Sequence, residues 1–158
     1  MITFTKVSLP YGWLGNMSPH PIRIHGQLWP TAEHLFQAQR FLDAAIKEEI
    51  RLQKSPMGAK MRARKRKNEG AVLIHQPRTP EDLRVMACVV GEKLDQHSNL
   101  VQALLDTGDE EIVEDVTRRA SEAGLFWGKA LKDGQWVGHN HLGSIWMEAR
   151  RIAREMGR

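Results

Sequence analysis

Apolar residues recur at helical spacing through most of this chain and alternate only in short pieces, so the pattern predicts a mainly helical protein with a few strands. Ile2 to Val7 alternates weakly and reads as a strand, followed by a loop rich in Pro, Gly, Asn and Ser from Pro10 to Pro21. Ile22-Arg23-Ile24 and Gln27-Leu28-Trp29 flank His25-Gly26, a pair suited to a tight hairpin turn. Pro30 disfavours helix before it and Thr31 is a good N-cap, so a first helix is expected from about Ala32 to Gln53, where Ser55-Pro56 ends it. At about 100° per residue, Ala32, Leu35, Phe36, Leu42, Ala45 and Ile46 share one arc, and Glu33, Gln37 and Arg40 share the opposite one.

A basic helical segment follows from about Met57 to Asn68, broken at Glu69-Gly70, and Ala71 to Ile74 is an apolar run that fits no element clearly. Thr79-Pro80-Glu81-Asp82 is a strong helix start, with Thr79 as cap, Pro80 at the first helical position and two acids in the first turn; Leu83, Met86, Val90 and Leu94 then line one side. A short helix opens at Ser98 and closes at Thr107-Gly108, and Glu111 to Val116 reads as a strand. Trp127 to Gly143 reads as a glycine-bearing loop, and a last helix buries Leu142, Ile145, Trp146, Ala149, Ile152 and Ala153. The chain of 158 residues carries no repeat or linker, so one domain over 1–158 is expected.

Composition narrows the class. The one cysteine, Cys88, lies in an apolar helical run and is expected as a small buried hydrophobe; an internal disulfide is impossible, which fits a cytoplasmic setting. The N-terminus lacks a long apolar stretch and nothing approaches the roughly 20 apolar residues of a membrane span, so no membrane partner is expected. Net charge is +4, and Lys60, Arg62, Arg64, Lys65, Arg66 and Lys67 concentrate six cations in eight positions. Such a run is either a solvated helix face or a phosphate-contacting patch.

The Glu33, Gln37, Arg40 stripe is either a solvated face or a site. Trp29, His34, Phe36 and Phe41 crowd the same two turns, more aromatic surface than a wet face needs. Tyr11, Trp13 and Asn16 make the preceding loop aromatic and polar, suited to a pocket wall, although Trp13 as a core plug fits equally. Gly138, Asn140 and Gly143 lead into a helix N-terminus, whose free N–H groups can hold an anion. His139-Asn140-His141 has the look of a metal fragment, but a zinc site needs a third protein ligand and no cysteine pair exists; neither a metal nor another cofactor is expected.

Tyr11-Gly12-Trp13-Leu14-Gly15-Asn16-Met17-Ser18, Trp29-Pro30-Thr31-Ala32-Glu33-His34 with Phe36-Gln37-Ala38-Gln39, Trp127-Gly128, and Gly138-His139-Asn140-His141-Leu142-Gly143 together resemble the NADAR family, including its bacterial YbiA-like N-glycosidases. The resemblance spans nearly the whole chain. It implies an α+β fold, mainly helical, with a small antiparallel sheet, and hydrolysis of an N-glycosidic bond at a ribose. The implied partners are a phosphorylated nucleotide-like small molecule, such as a riboflavin-pathway intermediate, or ADP-ribosylated nucleic acid.

By the same resemblance Glu33 matches the acid of the Trp-Pro-Thr-x-Glu-His motif and is the expected catalytic carboxylate, for stabilising an oxocarbenium-like transition state or deprotonating water. Arg40 is the second catalytic candidate. Trp13, Asn16, Trp29, His34, Gln37, Arg78, Trp127, Gly138, Asn140 and Gly143 are the substrate-binding candidates, with Trp127 a possible base platform and His34 a packing or supporting partner. Three positions depart from the family pattern. Arg40 stands where lysine is common and cannot serve as an amine nucleophile, Arg78 stands where a tryptophan is expected, and Gly124 stands where an aspartate is expected, with Glu122 nearby. The departures leave a second reading open, a nucleotide-binding module with impaired chemistry. A third, nucleic-acid binding through the basic segment, predicts affinity that falls steeply with salt.

Overall fold

The computed structural model describes residues 1–157. Its contacts cluster into two compact units, one from Asn16 to Gln96 and one combining Met1–Gly15 with the chain from His97 onward. In chain order, β1 (Ile2–Phe4) belongs to the second of these units. The Asn16–Gln96 unit holds the hairpin β2 (Ile22–Ile24) and β3 (Gln27–Trp29), then α1 (Ala32–Gln39), α2 (Ala44–Arg51), α3 (Pro56–Asn68) and α4 (Pro80–Gln96). The chain returns to the other unit with α5 (Ser98–Asp106), β4 (Ile112–Glu114), α6 (Glu122–Trp127), β5 (Ala130–Lys132), β6 (Gln135–Val137) and α7 (His141–Glu155). The class is α+β and mainly helical. The sheet is not one antiparallel piece: two hairpins are antiparallel, and β1 pairs with β4 in parallel, Ile2 opposite Ile112.

The local punctuation works as the sequence implies. His25 and Gly26 both have positive φ, 48° and 78°, the turn that matches the twist of a hairpin. Ser55 caps α3 by accepting the Gly58 N–H at 2.9 Å, and Thr79 Oγ1 accepts the Asp82 N–H at 3.3 Å at the start of α4. Among the described residues no helix is long and apolar enough to cross a membrane.

Four expectations are corrected. The helix from Ala32 to Gln53 is two helices, because Phe41 leaves α1 to bridge Leu73, Leu42 N–H donates to Val72 O, and Asp43 caps a new helix through the Ala45 N–H at 2.8 Å. Leu42, placed on the buried arc by continuous helical phase, is therefore exposed, as is Ala45. The stretch from Trp127 to Gly143 is not a loop: Asp133-Gly134, with φ of 50° and 77°, turns β5 into β6, and α6 precedes them, capped by Ser121. Cys88 is exposed, since α4 buries Asp82, Met86, Val89, Val90, Lys93 and Leu94 on the arc opposite it. On α7, Ile152 is exposed and Arg150 takes a buried place, donating to Thr107 Oγ1 at 2.8 Å.

Candidate functional site

In the Asn16–Gln96 unit the expected stripe is buried. Thr31 caps α1 by accepting the His34 N–H, and its hydroxyl lies 2.8 Å from His34 Nδ1. His34 Nε2 lies 2.9 Å from the Gln53 carbonyl, which can only accept, so Nε2 carries the hydrogen and Nδ1 accepts from Thr31. Burial holds His34 below its ordinary pKa, against the Gln53 hydrogen bond and the charge of Glu33. The ring is fully enclosed and serves to tie the start of α1 to the end of α2. Trp29 is likewise core.

Glu33 is 8% exposed, and its N–H donates to the Asn16 carbonyl at 3.0 Å. Its Oε1 accepts from Gln37 Nε2 at 2.8 Å, one helical turn on. Gln37 Oε1 in turn accepts from Arg40 Nη1 at 3.2 Å, while Arg40 Nε and Nη2 donate to the two oxygens of Asp82 at 3.0 and 2.7 Å. The guanidinium also lies 4.6 Å from the centre of the Phe36 ring. Asp82 is fully buried and accepts further from the Arg78 N–H and from His75 Nε2, each at 2.9 Å. Burial pushes its carboxyl up, but Arg40, the Arg78 N–H and His75 outweigh that and hold it below the ordinary range. A four-residue relay thus runs from Asp82 through Arg40 and Gln37 to Glu33. Glu33 Oε2 is left without a hydrogen-bond partner among the described residues.

Asp82 and His75 were not among the sequence candidates. Asp82 reads locally as a first-turn acid of α4; the signal that could have found it is its spacing of four from Met86, which puts it on the buried arc. Asn16 sets its Nδ2 3.3 Å from Met86 Sδ, and its buried Oδ1 has no partner among the described residues. Arg78 has positive φ, 60°, and reaches Asp82 through its backbone.

The other expected residues lie in the other unit. Trp13 meets Trp146 edge-on at 5.7 Å, and Trp146 Nε1 donates to Leu14 O at 2.9 Å, so the loop is pinned to α7. Trp127 is half-buried with Phe126 edge-on at 4.9 Å, Phe126 lies 4.4 Å from His141, and the His139 and His141 rings stack at 5.7 Å. Burial and His139 lower the pKa of His141.

The Gly138-Asn140-Gly143 stretch, expected to hold a ligand, is engaged by its own fold. Asn140 adopts a left-handed conformation, φ 54°, and is 3% exposed. Its Nδ2 donates to Ile112 O at 2.9 Å and its Oδ1 accepts the Glu114 N–H at 3.1 Å, so both ends of the amide grip β4. A Cβ at Gly143 would stand 2.1 Å from Ile112 O, and one at Gly138 2.5 Å from Gly128 O. Gly124 is of the same kind, since a Cβ there would lie 2.4 Å from Arg119 O. An aspartate at that position needs a different backbone.

Comparison with known proteins gives a consistent result. The NADAR domain matches residues 3–154. N-glycosidase YbiA of Shigella flexneri serotype 5b (strain 8401) is 37% identical over 150 residues, covering 95% of this chain and 86% of the relative. N-glycosidase Npun_R5314 of Nostoc punctiforme is 35% identical over 161 residues, covering 98% and 94%. The NMR structure of E. coli YbiA superposes with a TM-score of 0.79 at 35% identity, over 99% of this chain and 87% of that one.

Proposed function

We propose, on the premise that this chain belongs to the NADAR domain family, that it is a hydrolase of N-glycosyl bonds, cleaving the ribose–base bond of a phosphorylated riboside or an ADP-ribose adduct. The observation that carries the reading is the state of Glu33, a buried carboxylate with one oxygen fixed by Gln37 and the other open. Breaking a ribose–nitrogen bond builds positive charge on the sugar. A carboxylate held at that point stabilises the charge or takes the proton of the attacking water. Arg40 holds Gln37, and so Glu33, in register, and its charge is matched by Asp82, which supports water rather than a side-chain amine as the attacking group.

The family match runs unbroken from residue 3 to residue 154, which supports reading both units as one NADAR domain. The lone cysteine supports a cytoplasmic setting. A second reading, a binding module with impaired turnover, draws support from the engagement of Arg40 with Asp82 and from the absence of a carboxylate at Gly124.

The deciding experiment is chromatographic detection of base and sugar release from riboflavin-pathway ribosides, NAD, ADP-ribose and ADP-ribosylated guanine in DNA. Release by the wild type and not by Glu33→Gln supports the N-glycosidase and identifies its substrate. No release from any, with thermal stabilisation by one of them, selects the binding module.

A further inference from the structure

From Ile50 to Asn68 the chain has eight Lys and Arg and no Asp or Glu. The Asn16–Gln96 unit carries fourteen Lys and Arg against nine Asp and Glu, a surplus of five, so the net +4 of the whole chain comes from this unit alone. The structure sorts these cations. Ala59 and Ala63 form the buried side of α3, and beside them Arg62 donates to Glu49 at 2.8 Å while Arg66 reaches the same carboxylate at 2.7 and 2.9 Å. On the other side Lys60, Arg64 and Lys67 form one row at i, i+4 and i+7, Lys65 lies about 100° farther round from Arg64, and none of the four has a carboxylate partner among the described residues. Arg64, Lys65 and Lys67 are exposed.

We propose that this face of α3 is a docking site for the phosphodiester backbone of nucleic acid, separate from the Glu33 relay. The row is about 10 Å long at 1.5 Å per residue, the axial length of about three phosphates at 3.4 Å each on one strand. Like charges placed in series without counter-charges repel one another and are relieved by a partner that repeats negative charge at similar spacing. A membrane is a poorer fit. A helix lying in a bilayer surface needs a broad exposed apolar face, whereas the apolar side of α3 is buried and its exposed side offers only Met57 and Met61. The exposed side carries no aromatic ring, so contact is to phosphates and indifferent to sequence. Through Gly70, α3 leads to the segment whose Ile74 N–H donates to the Arg40 carbonyl at 2.7 Å, so a docked strand is held by the unit that bears the relay.

The test is fluorescence anisotropy with labelled random-sequence duplex DNA and the equivalent duplex RNA, between 50 and 200 mM salt, for the wild type and the combined Lys60→Gln, Arg64→Gln, Lys65→Gln, Lys67→Gln variant. Three phosphate contacts along the row predict a slope of log affinity on log salt of about −2.7, roughly a fortyfold loss across that range. The variant should unfold at the wild-type temperature and bind at least about tenfold more weakly at 50 mM, with a nearly flat salt response. Preference for DNA or for RNA identifies the source of the backbone, and either supports the site. Binding by the variant equal to wild type, a flat wild-type slope, no binding to either duplex, or equal binding to polyglutamate or to anionic lipid vesicles overturns it. Glu33→Gln should bind as wild type, so the result stands apart from whether the protein turns over a riboside.

Discussion

The N-termini of α1 and α7 both open on motif residues that promise ligand chemistry, and the structure uses them in opposite ways. At α1 Arg40 donates both to Asp82 and to Gln37, Gln37 donates to Glu33 Oε1, and Glu33 Oε2 has no hydrogen-bond partner among the described residues. At α7 both ends of the Asn140 amide are taken by β4, and Gly143 is there because the Ile112 carbonyl occupies the space of a side chain. What sets the two helix starts apart is whether the fold has consumed the polar atoms of the motif residue. Residue type and position in a motif do not.

That contrast can be tested by breaking each side of it. The largest effect is expected at Glu33→Gln, which keeps the shape and the contact to Gln37 while removing the charge; turnover should fall by about 10²–10⁴-fold in the release assay with little change in denaturant midpoint. Retention of more than a tenth of the activity would remove Glu33 from the chemistry. Asp82→Ala should unfold the protein more than it reads on any ligand, since it strands the largely buried Arg40 charge; a loss of about 3–5 kcal/mol in urea titration is expected.

On the α7 side, Asn140→Ala leaves the Ile112 carbonyl and the Glu114 N–H without their partners and should lose about 1–3 kcal/mol, with activity per folded molecule unchanged. Loss of activity at full stability would return Asn140 to the ligand.

The smallest effect is a slope. Lys93 is fully buried on α4 with Ser18 Oγ at 2.8 Å, and burial pushes its amine down to about 7. The unfolded chain, at the ordinary value near 10.5, then binds more protons than the folded one between about pH 7 and 10.5. Stability should therefore rise with pH across that window, by at most about 1.4 kcal/mol per pH unit, and the rise should vanish in Lys93→Met when urea midpoints at pH 7 and pH 9.5 are compared.

Much of the fold is legible in the chain because its signals are local. Thr31, Ser55 and Thr79 announce helix starts by accepting an N–H three residues on, and His25-Gly26 announces a hairpin because few residue pairs tolerate two positive φ angles. Asp133-Gly134 carries the same signal, masked by the glycines around it. The break after α1 was less legible, since continuous helical phase from Ala32 to Ile46 outvoted Asp43, whose capping acts only once Phe41 has paired with Leu73. Of the site, Glu33, Gln37 and Arg40 could be grouped by spacing alone, whereas Asp82 and His75 could not.

The sequence by itself determined the helical class, the caps and turns, the motif that carries Glu33, and the basic run of α3, because each depends on backbone preference or on neighbours within about four residues. Tertiary structure alone decided which polar atoms are spent. It placed Asp82 against Arg40 across 42 residues and Asn140 against Ile112 across 28, and it divided the cations of α3 between Glu49 and solvent. Such partnerships follow from burial, where an unmatched polar group is costly, and burial is set by how helices and strands pack after they form.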